Sequence, residues 1–408
     1  MMTKTVPLML TLNAGSSSLK FAAFAASTGW PELFRGQIEG FGRASDQPVS
    51  IRIVRSGVRE TMALPSGTQI ANASDAFDQL WPILAEQIEG RPLLAVVHRV
   101  VHGGLEFDGA IRVTPDSLSR LDSYAPLAPL HQPHNLVLIR RVTERLGEGQ
   151  QIACFDTAFH RGRAFETEAY ALPRALYDQG IRRYGFHGLS YGAVTDRLRR
   201  ARPDLAGGRL VVAHLGAGCS LAAINEGRSV ATTLGFSALE GLPMATRCGR
   251  LDPGVLLHLM GEREMSVEAV TQMLYKDSGL KGLSGLSGDV RDLEASDRPE
   301  AHQTLDYFIH QVAIGVAEMA GELGGLHALI FTAGIGEHSA RVRLGVMQKL
   351  AWLGVVPDLA QNADPEVDVV TDISAPESLI KVLIVPTDEE RRMATEAASL
   401  LAQSPAAA

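Results

Sequence analysis

Two stretches of the sequence share one pattern: an apolar run, a loop of small polar residues and a second apolar run. Residues 7–24 read PLMLTL, NAGSSS and LKFAAF, and residues 209–224 read RLVVAHLGAGCSLAAI before the turn Asn225-Glu226-Gly227. Apolar runs of this length around Gly, Ser and Asn are typical of β-hairpins. Because each hairpin stands near the start of a domain-sized block, the sequence predicts a duplicated α/β architecture, with the two hairpin tips facing each other across a cleft.

A third apolar run predicts a further strand and loop. Residues 327–338 (HALIFTAGIGEH) lead into a helical pattern over 339–353, so this glycine loop should open at a helix N-terminus, which favours anions. Further helices are predicted at 73–89, 133–146, 266–274 and 301–323. The Asp-, Pro- and Glu-rich residues 361–378 predict a surface excursion, and 404–408 predict a frayed tail.

Length and composition limit the class of protein. A chain of 408 residues exceeds what one hydrophobic core usually supports, so two domains are expected. The 46% hydrophobic and 21% charged content describes an ordinary globular protein. The net charge of −8, with scattered Lys and Arg, gives no footprint for nucleic acid. No apolar run is long enough to span a bilayer, so no membrane contact is expected.

The cysteines and the N-terminus indicate the compartment. Cys154, Cys219 and Cys248 are odd in number and lack metal-ligand spacing, which argues against a disulfide framework or a zinc site. The apolar stretch 6–12 is too short for a signal peptide and runs directly into a polar loop. A cytoplasmic protein is therefore expected.

The small-residue loops indicate a phosphate ligand. Such loops let backbone N–H groups approach phosphate oxygens, because no β-carbon intrudes. Three of them in one chain suggest a polyphosphate, whereas any one alone is more simply explained as a tight turn. The chain has neither GxxxxGK[ST] nor GxGxxG after a strand, so a P-loop enzyme and a dinucleotide-binding fold are not expected.

Polar side chains in and beside these loops are candidate ligands. Asn13, Ser16, Ser18 and Lys20 bring amide, hydroxyl and ammonium groups into the first hairpin, a set suited to metal-bound phosphate, although Lys20 also fits a solvated strand end. Arg99 lies between apolar neighbours, where a cation is costly unless it meets an anion. It is therefore a candidate clamp for a carboxylate or a phosphate.

Three further residues complete the set. Asp156 ends the apolar run QIACF, where it could contact metal or substrate or simply cap a helix. His187 and Arg247 lie in glycine-flanked loops, and His187 taken alone would more often be structural. The chain shows no Ser-His-Asp or metal-ligand signature. The collection therefore favours phosphoryl transfer, which depends on positioning and on charge neutralisation by Mg²⁺, Arg and His.

Ordered blocks of sequence carry a family resemblance. NAGSSSLKF, HRVVHGG, APLAPLH, FDTAFH, RRYGFHG, HLGAG, LEGL, TRCGRLDP, GDVRD, FTAGIGE and PTDEE follow one another as in acetate kinases. Along about 7–396 the chain resembles the acetate, propionate and butyrate kinases. The resemblance implies an α/β, duplicated actin and sugar-kinase-like (ribonuclease H-like) fold with two domains flanking a cleft, and a homodimer. The N-terminal domain would cover 1–151 and about 387–408, and the nucleotide-binding domain 152–386.

The resemblance also implies an activity and roles for single residues. The activity is reversible transfer of the γ-phosphoryl group of ATP to acetate, giving acetyl phosphate and ADP, with Mg²⁺, or Mn²⁺ in its place, as cofactor. The implied catalytic residues are Asp156, His187 and Arg247, and the implied metal residues are Asn13 and Glu389. The implied substrate-binding residues are Arg99, His131, Val101, Leu130 and Phe186. The implied nucleotide-binding residues are Lys20, His214, Leu215, Gly216, Ala217, Gly218, Asp289, Val290, Arg291, Gly334, Ile335, Gly336, Glu337 and His338.

Departures from the family pattern leave two alternatives open. They are Ala217 for Asn, Leu189 for Thr, Tyr191 for His, Ala238 for Pro, Ala245 for Gly and His338 for Asn. Ala238 could enlarge the acyl pocket, and one methylene changes binding by only about 1–3 kcal/mol, so a propionate or broader short-chain kinase is one alternative. Ala217 removes an amide that could donate to phosphate, so a nucleotide-binding switch that has lost transfer is the other.

Overall fold

The computed structural model describes residues 6–15, 18–41, 49–55, 57–64, 70–88, 90–129, 131–147, 150–366 and 368–403. The chain divides into two compact units, one formed by Met1–Ala158 with Asp388–Ala408 and the other by Phe159–Thr387. The predicted tail at 404–408 lies outside the described residues, as do Ser16 and Leu130.

The first unit is built on an eight-stranded sheet. Its strands are β1 Leu8–Ala14, β2 Ser18–Ala25, β3 Glu32–Glu39, β4 Ser50–Arg55, β5 Val58–Ala63, β6 Leu93–Val100, β7 Ile111–Arg112 and β8 Gln151–Phe155. Its helices are α1 Ala73–Ile88, α2 Pro115–Ser123, α3 Gln132–Leu146, a 3₁₀ turn Ala125–Leu127 and the C-terminal helix Glu389–Gln403. The strand order is β5-β4-β3-β2-β1-β6-β8-β7. Strands β1, β6 and β8 are parallel, and the other neighbours are antiparallel.

The first predicted hairpin is confirmed. Strands β1 and β2 pair antiparallel, with Asn13 opposite Lys20 next to the tip. Every residue of β1 is buried, as expected for a central strand covered on both faces. The core on one side of the sheet includes Leu10, Phe21 and Phe77. This buried frame fixes the position of the polar residues at the strand ends.

The second unit is built on a six-stranded sheet. Its strands are β9 Arg209–Leu215, β10 Cys219–Asn225, β11 Arg228–Thr232, β12 Ala328–Thr332, β13 Thr371–Asp372 and β14 Lys381–Ile384. Its helices are α4 Phe165–Glu168, α5 Arg174–Asp178, α6 Gly188–Ala201, α7 Pro203–Ala206, α8 Pro253–Gly261, α9 Val267–Lys276, α10 Gly279–Ser284, α11 Val290–Glu294, α12 Pro299–Glu322, α13 Ala333–His338, α14 Ala340–Lys349 and α15 Leu359–Ala363. Two 3₁₀ turns, Ala158–His160 at its start and Ala351–Leu353 within it, complete the elements.

The two sheets repeat one topology. The second sheet has the order β11-β10-β9-β12-β14-β13, and the first contains the matching series β3-β2-β1-β6-β8-β7. In both, a hairpin strand (β1 or β9) runs parallel to the next inner strand (β6 or β12), and a short last strand (β7 or β13) is antiparallel to its neighbour. The predicted duplication and the second hairpin, β9 with β10, are confirmed.

Two sequence-based expectations need correction. The predicted loop after β12 is itself the six-residue helix α13, and the Glu337 carboxylate holds its first turn by accepting a hydrogen bond from the Ala333 amide. Residues 361–378 are not only a surface excursion. They carry the strand β13, paired with β14, and the side chain of Ile373 is fully buried. The four further helices predicted from periodicity are confirmed as α1, α3, α9 and α12.

No helix in the described part of the chain has both the length and the apolar character needed to cross a membrane. All three cysteines carry free thiols, those of Cys154 and Cys219 buried and that of Cys248 partly so.

Candidate active site

A buried ion pair lies at the strand ends of the first unit. Arg99, near the end of β6, donates from Nη2 to Asp156 Oδ2 at 2.6 Å and from Nε to both carboxylate oxygens at 3.1 Å. The Asp156 side chain is 1% exposed and that of Arg99 18%. Burial raises the pKa of Asp156, while the nearby guanidinium opposes that shift. Burial alone would lower the pKa of Arg99, but the surrounding carboxylates outweigh it and raise the pKa.

Arg99 has further N–H groups besides those that donate to Asp156. Its Nη1 donates to Asn13 Oδ1 at 3.1 Å. A guanidinium has five N–H groups. Within the described residues, those not donating to Asp156 or Asn13 are available to an anion. Asp156 therefore holds Arg99 in a fixed orientation, as expected of a clamp for a carboxylate or a phosphoryl oxygen.

Asn13 connects the first hairpin to the C-terminal helix. Its Nδ2 donates to Glu389 Oε2 at 2.9 Å and to Glu390 Oε1 at 3.2 Å. Burial raises the pKa of Glu390, with Lys20 opposing that shift. Lys20 itself is exposed. The cluster thus gathers carboxylate oxygens, a ligand type that Mg²⁺ prefers, around the amide nitrogen of Asn13, whose Oδ1 accepts from Arg99.

The described residues contain no group of three or more His, Cys, Asp or Glu side chains that could hold a metal by themselves. Mg²⁺ is commonly bound by one or two carboxylates, with water and substrate phosphates completing its shell. The Glu389 carboxylate fits that kind of site, in which the protein supplies only part of the coordination, whereas Asn13 would have to turn its amide to present Oδ1 to the ion.

Side-chain amides from α3 hold the loop that follows β6. Asn135 Oδ1 accepts from the Val101 amide at 3.1 Å, and Gln132 Oε1 accepts from the His102 amide at 3.1 Å. Gln132 Nε2 also donates to the His102 carbonyl. Val101 is buried, and His131 is half-buried directly before α3. Sequence reasoning missed Gln132 and Asn135, although Gln132 directly follows the APLAPLH block.

His187 occupies a strained backbone position in the second unit. Its φ of 58° is left-handed, and it precedes α6 as the N-cap. Such a conformation costs about 1–3 kcal/mol and persists only when the surroundings hold it. The preceding loop is held by two buried side chains. Arg163 Nη2 donates to the Tyr184 carbonyl at 3.1 Å, and His160 Nε2 lies 2.9 Å from the Phe186 carbonyl. Phe186 is buried.

His187 and Arg247 approach the same point of the second hairpin. A β-carbon at Gly218 would lie 2.9 Å from Arg247 Nη2 and 3.2 Å from His187 Nε2. The His187 ring stacks on His214, with centroids 4.1 Å apart. Arg247 Nη1 donates to the Ala238 carbonyl at 2.6 Å, which orients the guanidinium. A side chain at this position would have to displace the end of Arg247 and press on the His187 ring, so glycine lets both nitrogen groups approach the backbone.

The hairpin tip adjoins the short helix α13. A β-carbon at Gly216 would lie 3.7 Å from that of Ala333. Glu337 Oε1 accepts from the amides of Ala333 and Thr387. Arg343, 1% exposed, donates from Nη1 to the carbonyls at the end of this helix, Gly336 at 3.1 Å and Glu337 at 2.8 Å.

The structure brings most predicted nucleotide residues of the second unit together. Of the β9–β10 segment, His214 and Leu215 are buried and Ala217 is exposed. His338 is exposed at the end of α13. Ser339, which caps α14, donates to Glu294 at 2.6 Å, so α11 lies next to the end of α13.

The segment before α11 has a local role as well. Asp289 caps α11 by accepting from the Arg291 amide at 2.9 Å, and it also pairs with the exposed Arg291 side chain. The hydrogen bond from Arg291 lowers the pKa of Asp289. Val290 is buried and anchors the segment. Asp289 therefore shapes the helix start, and any contact with a ligand would come in addition.

Comparison with known proteins decides the family. The acetokinase family model matches residues 8–395. The acetate kinase of Methylocella silvestris is 44% identical, over 98% of this chain and 99% of its own.

The chain belongs to the acetokinase family. Solved structures agree with this. A propionate kinase from Francisella tularensis subsp. tularensis has a TM-score of 0.85 at 33% identity, covering 96% of this chain and 98% of its own. The acetate kinase of Porphyromonas gingivalis has a TM-score of 0.81 at 31% identity, covering 97% and 100%. The predicted family and the duplicated actin and sugar-kinase-like fold class are confirmed.

Several residues at which this chain departs from the family pattern make contacts in the structure. The Ala217 carbonyl accepts from the Ala245 amide at 3.2 Å, so backbone alone ties these two positions. Leu189 is buried in α6. Tyr191 reaches Ser220, which in turn contacts His187. Sequence reasoning did not identify Ser220. Its place opposite His214 in the hairpin register was the signal that could have shown it.

Proposed function

We propose that this chain transfers the γ-phosphoryl group of ATP to the carboxylate of acetate, giving acetyl phosphate and ADP, and catalyses the reverse transfer. Membership of the acetokinase family supports the proposal, since the matched region takes in both clusters of polar residues. The observation that carries it is the meeting of His187 Nε2 and Arg247 Nη2 beside Gly218. Two such donors can neutralise the charge that develops on phosphoryl oxygens.

The proposed step is a direct in-line displacement. A carboxylate oxygen of acetate attacks the γ-phosphorus, the bond from that phosphorus to the β–γ bridging oxygen breaks, and ADP leaves with the bridging oxygen. We assign Arg99 to the acetate carboxylate, Asp156 to the orientation of Arg99, and His187 with Arg247 to the phosphoryl oxygens. Phosphoryl transfer needs little else from the protein.

We assign Mg²⁺ to Asn13 and Glu389. Bound there, the ion would neutralise phosphate charge. Since Asn13 also accepts from Arg99, one amide would couple the metal side of the cluster to the acetate side. Replacing Mg²⁺ by Ca²⁺, which prefers more ligands and longer distances, should lower kcat.

The nucleotide assignment is equally specific. We assign the phosphates to the 214–218 segment and α13, and the remaining nucleotide contacts to residues 289–291, with Lys20 near the phosphates. Glu337 and Arg343 hold α13 from within by bonds to its two ends. A pre-formed site of this kind lowers the entropic cost of binding.

Trapping of acyl phosphate as the hydroxamate tests the proposal. With Mg-ATP and acetate, the wild type should form hydroxamate, and Arg247→Ala should lower kcat by about 10²–10³-fold, as expected for removal of one transition-state donor. Arg250→Ala is the matched control, because Arg250 lies in the same segment but is 58% exposed and pairs with Glu318. ATP binding without acyl phosphate from any short acid would reject the proposal and favour a nucleotide-binding switch.

Propionate is the second candidate substrate. Alanine at 238 in place of proline motivates it, and a related structure is a propionate kinase. We assign the acyl group of the substrate to Val101, Leu130, His131 and Phe186, the residues that the family resemblance implies. In a substrate panel, kcat/KM for acetate should exceed that for propionate by about tenfold, the effect of one methylene. A reversed order would make propionate the substrate.

We further propose that the chain is a cytoplasmic homodimer. Free thiols at all three cysteines fit a reducing compartment. None of the nine residues of α8 is buried, and Leu257 on this helix is 71% exposed and Val267 on α9 65%. Apolar surface of this kind is suited to a second copy of the chain. Light scattering should give twice the chain mass of 43.7 kDa, and Leu257→Glu should shift the particle to the monomer.

A further inference from the structure

The hydroxyl of Tyr191 reaches the ring of His187 through Ser220. Tyr191 Oη lies 2.5 Å from Ser220 Oγ, and Ser220 Oγ lies 2.8 Å from His187 Nδ1. Tyr191 and Ser220 are both 0% exposed. Tyr191 follows His187 by one turn of α6, its amide donating to the His187 carbonyl at 3.0 Å, and Ser220 lies on β10. Packing of this helix on this sheet therefore builds a continuous chain of hydrogen bonds.

A count of donors and acceptors shows in which direction the hydrogen bonds between Tyr191, Ser220 and His187 run. Burial raises the pKa of Tyr191, so its phenol keeps its proton. Within the described part of the chain, Ser220 Oγ is the hydrogen-bond partner of Tyr191 Oη. A buried hydroxyl proton without an acceptor is costly, so Tyr191 donates to Ser220. Ser220 then donates its own proton to His187 Nδ1.

The opposite direction is unfavourable for the same reason. If His187 carried a proton on Nδ1, that proton would go to Ser220 Oγ, and the Ser220 proton would turn to Tyr191 Oη. The phenol proton would then have no acceptor among the described residues. The network thus selects the imidazole form with an acceptor at Nδ1 and the proton on Nε2.

We propose that Tyr191 and Ser220 are positioning residues that keep the proton of His187 on Nε2, where it faces the phosphoryl group. The proposal rests on the proposed function, which places phosphoryl oxygens beside His187 and Arg247. It also gives a role to a departure from the family pattern, because Tyr191 stands where His is usual. The proton on Nε2 lets a neutral ring donate to a phosphoryl oxygen beside Gly218.

Nitrogen NMR of the histidine rings tests the proposal without depending on turnover. In full-length protein labelled with [¹⁵N]histidine, the His187 signals, identified by their loss in His187→Asn, should show the proton on Nε2. Tyr191→Phe and Ser220→Ala should each give a mixture of the two tautomers. In hydroxamate assays both variants should lower kcat about tenfold, the effect of one lost hydrogen bond, with KM for ATP and acetate changed by less than about twofold.

Thr195→Val is the matched control. Thr195 is a buried residue on the same helix, and its hydroxyl donates to the Tyr191 carbonyl at 2.8 Å, not to the side chains that link Tyr191 to His187. This variant should keep the wild-type tautomer and kcat. A wild-type ring protonated on Nδ1 would overturn the proposal, as would Tyr191→Phe and Ser220→Ala proteins that retain Nε2–H and full kcat. If no variant and no wild type formed acyl phosphate, the proposed function would fail, while the ring signals would still decide the tautomer.

Discussion

The two sheets place different chemistry at equivalent strand ends. Next to the first hairpin tip Asn13 stands opposite Lys20, and next to the second His214 stands opposite Ser220. Asp156 directly follows β8, and the strand registers match it with Thr387, three residues after β14. The first unit therefore ends in a guanidinium, an amide and carboxylates, and the second in imidazoles and hydroxyls.

The two units therefore hold their polar side chains by different interactions, the first by an ion pair and the second by a series of hydrogen bonds. In the first unit a buried carboxylate needs its cation, so each charged group depends on another. In the second unit a series of hydrogen bonds runs from the Tyr191 hydroxyl through the Ser220 hydroxyl to the His187 ring. One topology can thus support two kinds of site, because the strand ends are fixed by the core while their side chains are not.

The largest expected effect comes from breaking the charged pair. Arg99→Ala would leave Asp156 buried without its cation, and unfolding free energy should fall by about 3–5 kcal/mol. The kcat/KM for acetate should fall by about 10²-fold, because the group assigned to orient the acetate carboxylate is lost. The double variant Arg99→Met with Asp156→Leu should regain stability but not activity in thermal unfolding and hydroxamate assays. Full stability of Arg99→Ala alone would contradict the dependence of these charges on each other.

The second largest effect is expected from a substitution at Gly218 in the second unit. Gly218→Ala would place a β-carbon 2.9 Å from Arg247 Nη2 and 3.2 Å from His187 Nε2. Displacing these donors should lower kcat by about 10²-fold, the loss that small misplacements of catalytic groups can cause. Gly207→Ala is the control, because a β-carbon there would have no atom within 4 Å apart from those of its neighbours in the chain. Equal kcat for both variants would show that the donors do not need this approach.

A third prediction concerns the loss of stability of each unit as the pH falls. Burial lowers the pKa of His98 and of His102 to about 4 and that of His160 to about 3. Unfolded histidine titrates near pH ~6.5, so the unfolded chain binds protons first as pH falls. The free energy of unfolding should therefore fall as the pH falls from ~6.5 towards ~4, by up to about 1.4 kcal/mol per pH unit for each buried ring.

Two of these three rings, His98 and His102, lie in the first unit. At pH ~5 the amide hydrogens of β6 should therefore exchange faster than those of β9. His98→Gln carries no titratable group at that position and should lose less stability than the wild type between pH ~6.5 and ~5. Simultaneous loss of protection in both strands would argue against separate acid responses.

The smallest effect lies in the turn between β10 and β11. Glu226 has a φ of 52° and precedes Gly227 at 75°, the pattern of a type I′ turn. Asparagine tolerates this conformation better than glutamate, so Glu226→Asn should raise unfolding free energy by about 0.5 kcal/mol without changing kcat. Chemical denaturation is the measurement. A loss of stability would mean that Glu226 has a favourable contact that outweighs its strain.

Much of the fold could be predicted from the sequence. Both hairpins, four helices and the family followed from apolar periodicity and ordered motifs, because local patterns carry that information. The loop after β12 was predicted wrongly, since its helical turn is held by the Glu337 carboxylate, which accepts from the Ala333 amide and from the amide of Thr387, 50 residues further along the chain. The burial of Ile373 could not be read from an acidic, proline-rich stretch, because it depends on pairing between β13 and β14.

The sequence by itself determined the strands, the hairpin tips and which residue types stand at them, because these depend on neighbours in the chain. Only the tertiary structure decided that Asp156 holds Arg99, that Asn13 reaches Glu389 and that Ser220 joins Tyr191 to His187. These partners lie far apart along the chain, and whether they meet depends on how strands and helices pack. The direction of a hydrogen bond, and hence the place of a proton, depends on that packing.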